Sequence, residues 1–277
     1  MNEQKAFKRS RASVARAMSP NGVASMAVVA PLSTTRRSPG ERPARRADAV
    51  VSDLLEQIVS GDLRPAELVP TEPALCDAYG VSRTVAREAV KTLEEKGLVT
   101  ARQGIGTLVS SHEAWNLLDP EVLAAIVRHD EEYEVLDQLI VVRTVLESAL
   151  AREAARRRTA DDLHELNALM DELDTSVREP ERMNVVDVAF HERIMLVSGN
   201  QLARAIVKTV HAEARRSTRY SGHVTVANRQ RTNLQHRGIL EAIAAGDSEL
   251  AASLMMEHIT DAWRRRRPRS KRPSTRP

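Results

Sequence analysis

Cysteine is almost missing from this chain. Cys76 stands alone among 277 residues, so no disulfide framework holds the fold, and such usage suits a reducing cytoplasm. No partnered His or Asn motif accompanies Cys76, which therefore reads as a small buried hydrophobe on a helix and not as a nucleophile. Aromatic residues are scarce too, at 3%, which leaves the core to aliphatic side chains. No apolar run reaches the roughly 18 residues needed to span a bilayer, so membrane-spanning helices are excluded. Val23–Leu32 follows a basic stretch in the faint outline of a signal peptide, but the region after it reads as cytosolic.

Charge is plentiful, at 29%, yet the formal net charge is only +3. The balance is uneven. Residues 1–43 carry a net +6 and residues 264–277 a net +8, which leaves 44–263 at −11. We read 1–43 and 264–277 as disordered basic tails suited to a polyanionic partner.

Residues 44–110 have the punctuation of a small DNA-reading domain. Val50, Leu54, Leu55 and Ile58 form one helical stripe that Gly61 ends. Thr71 caps a short helix with Glu72 in its first turn, and Gly80 closes it. Ser82 caps the next, SRTVAREAVKTLEEKG, which Gly97 terminates. Helix, tight turn, helix is helix-turn-helix spacing. Two β-rich runs follow, 98–101 and 107–110, joined by Arg102–Gly106, which makes a wing. The second helix of such a motif leads into the major groove with its N-terminal residues. Here these are Ser82, Arg83, Thr84 and Arg87. Arginine grips guanine edges, while serine and threonine suit phosphates. Gly104 and Gly106 let the wing backbone come close to DNA.

Residues 111–119 read as a polar linker with Trp115 as an anchor. From Asp119-Pro120 onward, helical patterns cover about 120–128, 132–157, 160–177, 180–197, 200–218, 227–245 and 247–263. No strand alternation interrupts them, so 120–263 is expected to be an antiparallel all-α bundle. Asp187 and His191 are four apart in VVDVAFHERIML and share one helix face. His236 and His258 fall on two later helices. One carboxylate and three imidazoles from three helices can meet on a divalent metal inside a bundle. Zinc is expected first, with nickel, manganese and iron as alternatives. Of the other histidines, only His211 is expected to line the pocket.

Arg143 lies on the inward stripe Leu136, Leu139, Ile140, Leu146 and Leu150, where it needs an anion. Glu147, one turn on, is one partner. The carboxylate of a metal-bound ligand is the other. Asn200 is expected to cap its helix and to support the site.

The run GVSRTVAREAVKTLEEKGLVTARQGIGTLV resembles the winged-helix domain of the GntR family of bacterial transcription regulators. VVRTVLESALAREAARR, DVAFHERIMLVSGNQL, LQHRGILEAIAAGD and MMEHI resemble the FCD ligand-binding domain of its FadR branch. The resemblance implies a mainly α protein, with an N-terminal winged helix-turn-helix and a C-terminal FCD bundle. It gives operator contact to Arg83, Arg87 and Gly104, with Glu72 holding the recognition arginines. It gives the metal to Asp187, His191, His236 and His258. Pro73 stands where the family often has a basic DNA contact, and Ala66 replaces a loop glycine.

The expected function is a ligand-responsive, DNA-binding regulator, most simply a repressor of a catabolic operon and not an enzyme. It is expected to act in the cytoplasm, at the nucleoid, as a homodimer on a palindromic operator. The expected effector is a small organic acid. WNLLDPEVL at 115–123 resembles the linker of regulators of sugar-acid catabolism, which puts galactonate or gluconate first. Two other readings stay open: a metalloenzyme acting on a small carboxylate, and a pure metal sensor.

Overall fold

The computed structural model describes residues 43–216 and 224–267. The expected N-terminal tail up to 42, His223 and the end of the C-terminal tail lie outside the described residues.

The first part is a winged helix. Helix α1 spans Pro43–Ser60, α2 Glu72–Tyr79 and α3 Arg83–Glu95. The caps are those that the sequence names. Thr71 accepts from Ala74 N at 3.5 Å and Ser82 from Val85 N at 3.3 Å, and Gly80 closes α2 in the left-handed conformation. Strands β1 (Val99–Arg102) and β2 (Gly106–Val109) pair antiparallel, with Val99 opposite Val109 and Arg102 opposite Gly106. Val50, Leu54, Ile58, Leu75, Leu93 and Leu98 are fully buried or nearly so in one apolar cluster.

The expected linker is not a free tether. Trp115 is buried in the winged-helix core. Asn116 N donates to Lys96 O at 3.0 Å, and a Cβ at Gly97 would stand 2.1 Å from Ala114 O. Lys96 Nζ lies 2.7 Å from Asp119 Oδ2, while Asp119 Oδ1 caps helix α4 (Pro120–His129) through Glu121 N and Val122 N. Helix α4 serves two cores. Val122 and Ala125 join the winged-helix cluster, and Leu123 and Val127 join the cluster of the bundle. The physical reason is its composition: apolar residues occupy two faces of a ten-residue helix.

Six longer helices form the bundle: α5 (Glu134–Arg157), α6 (Ala160–Thr175), α7 (Pro180–Val197), α8 (Gln201–Arg216), α9 (Val226–Ala245) and α10 (Ser248–Arg266). A capping box at Thr159–Asp162 starts α6, and Gly246, left-handed, ends α9. Leu136, Leu166, Met170, Phe190, Ile194 and Ile239 pack the centre, where α5 lies against α7, α8, α9 and α10.

One expected boundary moves. Residues 264–277 are expected to be a disordered basic tail, but α10 continues through Arg266. Trp263 Nε1 donates to Asp137 Oδ1 at 2.7 Å, and Arg267 Nε donates to the same carboxylate at 2.9 Å. Arg265 pairs with Asp261. Tertiary partners on α5 and one turn back therefore order a charge run that by itself reads as tail.

Candidate functional site

Three buried histidines meet at the centre of the bundle. α7 brings His191, α9 His236 and α10 His258. Their Nε2 atoms form a triangle with sides of 3.2 Å (His191–His258), 3.3 Å (His191–His236) and 3.1 Å (His236–His258). Phe190 packs on the His236 ring, with centroids 4.8 Å apart.

Hydrogen bonds cannot account for this triangle. A ring nitrogen that carries a proton cannot also accept one. With three nitrogens in mutual contact, at least one pair must meet like to like. Protonation does not relieve this, because burial pushes His236 down to about 3 despite the neighbouring Asp187, and pushes His258 well below its ordinary range. A cation at the centre satisfies all three lone pairs. Nitrogens about 2.0–2.1 Å from one ion, in tetrahedral or octahedral array, stand about 2.9–3.4 Å from one another. The three histidines are a group able to hold a metal ion, and the donor set fits one.

Asp187 sits at the rim. Its Oδ1 is 3.6 Å from His236 Nε2, and its Oδ2 is 4.0 Å from Arg215 Nη1. Burial raises its pKa, but His236, His191 and Arg266 outweigh that and hold it at about 2. It is thus a carboxylate, one turn before His191, beside the triangle.

Behind the triangle lies a buried group on α5, Arg143 and Glu147. His191 Nδ1 is 2.7 Å from Glu147 Oε2, and Arg143 Nε donates to Glu147 Oε1 at 2.7 Å. Glu147 is 1% exposed and Arg143 5%. Burial alone would raise the Glu147 carboxyl, yet Arg143 and His191 keep it well below the usual carboxylate range. The one-turn spacing gave Glu147 as a partner of Arg143. Its hold on His191 carries no local signal, since 44 residues separate the two.

The triangle opens into a small inner cavity of about 20 Å³, lined by Arg143, Asp187, His191, His211, His258 and Arg266 among others. An outer cavity of about 170 Å³ shares Asp187, His211, Thr232 and Arg266 with it and adds Arg215 and Arg229. His211 is buried, and burial together with Arg143 depresses its pKa well below the ordinary value. Sequence reasoning missed Thr232, Arg215, Arg229 and Arg266. Asn200 is not brought here. It is exposed, and its Oδ1 caps α8 by accepting from Ala203 N at 3.0 Å. The segment 115–123 does not line either cavity. Another cavity, of about 430 Å³, lies between α1, α4 and α8, and none of the expected metal or ligand residues lines it.

On the winged helix, Ser82, Arg83, Thr84 and Arg87 are all exposed. Ser82 spends its Oγ on the cap. Arg83 and Arg87 stand one turn apart on the open face of α3. The wing tip, Arg102–Gly106, is exposed throughout, and Gly104 (φ +76) has nothing within 4 Å of an added Cβ. Glu72 forms no ion pair with Arg83 or Arg87, so the structure does not supply the expected support of those arginines. Ala66 has φ +67, a conformation that glycine adopts without strain.

Residues 46–109 match the model of bacterial regulatory proteins of the gntR family, and residues 138–261 match the FCD domain. A galactonate operon transcriptional repressor of Escherichia coli (strain K12) is 27% identical over 220 residues, covering 79% of this chain and 96% of that protein. The HTH-type transcriptional regulator YieP of the same organism, itself uncharacterised, is 34% identical over 201 residues, covering 72% and 85%. A solved structure described as Lar, which controls expression of the Listeria monocytogenes agr system, superposes with a TM-score of 0.51 at 22% identity. It covers 83% of this chain and 96% of its own. That last likeness bears on the fold alone. No helix among the described residues is long and apolar enough to cross a membrane.

Proposed function

This chain belongs to the GntR family of bacterial regulators, in its FadR-like branch with an FCD domain, and from that premise we propose a metal-centred sensor of a small hydroxycarboxylate. The protein is a DNA-binding transcription regulator. The observation that carries the sensing proposal is the buried triangle of His191, His236 and His258 opening into an arginine-lined cavity.

His191, His236, His258 and Asp187 hold a divalent ion, zinc in the first instance. The bound ion supplies a Lewis-acid anchor for a carboxylate and its adjacent hydroxyl. Arg143 neutralises the ligand carboxylate from the inner wall while Glu147 keeps its guanidinium in place. His211, kept neutral by burial, offers one donor or one acceptor to a hydroxyl. Buried polar groups of this kind discriminate a polyol acid from plain acetate. Galactonate and gluconate head the probes, galactonate because a relative is named a galactonate operon repressor.

On DNA, Arg83 and Arg87 read base edges, Ser82 and Thr84 approach phosphates, and the wing backbone at Gly104 comes close to the duplex. The protein acts as a homodimer on a palindromic operator, at the cytoplasmic nucleoid, as a repressor. Helix α4 couples the two halves, because one helix belongs to both cores.

The test is metal analysis followed by calorimetry on the full chain. The expected result is about one divalent ion per chain, lost in His191→Ala and His258→Ala, with galactonate or gluconate binding to the loaded protein and acetate not. Arg83→Ala is expected to abolish specific footprints at a cost of about 1–3 kcal/mol per half-site. Absence of metal after purification without chelator and after added zinc would overturn the sensing proposal. A response of DNA binding to metal alone would support the pure metal sensor instead.

A further inference from the structure

We propose that the outer cavity is a subsite for a second anionic group on the effector, with Arg266 as its principal partner. The inference rests on the sensing reading above and narrows its ligand class.

Three arginines line the outer cavity: Arg215, Arg229 and Arg266. Two of them are positioned by backbone carbonyls. Arg229 donates to Val177 O at 2.8 Å and to Val224 O at 3.0 Å, and Arg215 donates to Asn184 O at 2.8 Å. Carbonyls satisfy N–H groups but do not neutralise charge. Asp187 is the one carboxylate among the described residues that line this cavity, with Oδ1 towards His236 of the triangle and Oδ2 4.0 Å from Arg215 Nη1. A divalent ion bound there would offset the charge of Asp187, and three arginines against that one carboxylate make the described lining of the outer cavity cationic.

Arg266 has the placement to meet an incoming anion. It lies in the last turn of α10 and lines both the inner and the outer cavity, so it stands where the two join. The inner end is occupied on this account by one carboxylate, between the metal and Arg143. A ligand long enough to reach outward meets Arg266, with Arg229 and Arg215 beyond. Hydroxyls along its middle face His211 and Thr232. The chemical class is therefore a polyhydroxy acid with an anion at each end. A distal carboxylate and a distal phosphate share this chemistry.

The experiment compares pairs of acids on one carbon skeleton. Galactarate differs from galactonate in carrying a carboxylate at the far end, and 6-phosphogluconate differs from gluconate in carrying a phosphate there. Calorimetry on the metal-loaded full chain is expected to show the dianion of at least one pair binding about tenfold or more tightly, the effect of one charge-assisted hydrogen bond. Arg266→Gln is expected to erase that preference, so that the dianion loses about tenfold or more affinity beyond whatever the monoanion loses. Arg266→Lys, which keeps the charge, is expected to retain part of it. Melting temperature and metal content of each variant separate a local effect from a disturbed helix end. No preference in the wild type, or an equal loss for both members of a pair in Arg266→Gln, would overturn the subsite and leave the sensing reading standing. If none of the four acids binds, the sensing reading fails and the subsite fails with it.

Discussion

His191 presents its Nδ1 to Glu147 Oε2 at 2.7 Å, which leaves its Nε2 for the histidine triangle. A carboxylate on the far nitrogen fixes the tautomer and raises the basicity of a metal-binding imidazole. Glu147→Gln is expected to weaken metal binding about 10- to 100-fold, the usual effect of losing such a partner. Chelator competition on the folded full chain reads this directly. Unaltered metal affinity would show that the Glu147–His191 contact serves packing alone.

Gly97 and Gly104 both have positive φ, but their surroundings differ. At Gly97 a Cβ would press on the backbone of Ala114, whereas at Gly104 it would meet nothing within 4 Å. Gly97→Ala is expected to displace the linker and destabilise by about 3 kcal/mol or more, since a backbone clash adds to backbone strain. Gly104→Ala is expected to cost about 1 kcal/mol yet to lower operator affinity, because the wing backbone could not approach as closely. Thermal melts and DNA titrations on both variants give four numbers. Similar melting temperatures for the two would contradict the packing argument.

Ala66 carries a left-handed strain that costs an ordinary residue about 1–2 kcal/mol. Glycine relieves the strain but gives back about 0.5–1 kcal/mol through unfolded-chain entropy. Ala66→Gly is therefore expected to stabilise the winged helix by about 0.5–1 kcal/mol. A denaturant midpoint that stays put or falls would show that the loop relaxes around Ala66 in solution.

Asp119 ties the linker to α3 and has a testable pH dependence. Burial pushes its carboxyl up, but Lys96 and the cap N–H groups of Val122 and Glu121 outweigh that and lower it below the ordinary value. A folded pKa below the unfolded one gives stability that is present above about pH 4 and is lost as pH falls through the folded value. Asn also caps helices well, so Asp119→Asn removes chiefly the charge. The variant is expected to melt lower than the wild type at pH 7, with the gap closing towards pH 3. A gap of equal size at both pH values would remove Lys96 from the explanation.

Much of the fold was legible because caps and breaks are local. Thr71, Ser82, Gly80, Asp119 and Gly246 mark element ends through groups within a few residues of themselves, and the observed helices begin and end near those marks. The three histidines were legible as a set because each falls within a helical segment of the bundle and Asp187 stands one turn before the first of them. What stayed hidden was tertiary. Glu147 reaches His191 across two helices. Arg266 belongs to α10 because Trp263 and Arg267 dock on Asp137, more than a hundred residues earlier. Asn200 caps α8 as its place before the helix suggests, and that use of its oxygen, away from both cavities, leaves the expected support of the site without a contact.

In the proposed mechanism the histidine-centred cavity controls DNA binding. The most direct measurement is fluorescence anisotropy of the metal-loaded full chain on a palindromic DNA that the protein itself selects from a random pool, with and without galactonate or galactarate. One of these acids is expected to change DNA affinity by about 5- to 150-fold, the usual span of allosteric coupling, and His258→Ala is expected to keep ligand-free DNA binding but lose the change. DNA affinity that stays the same with saturating acid in the wild type, or a full response in His258→Ala, would contradict this mechanism.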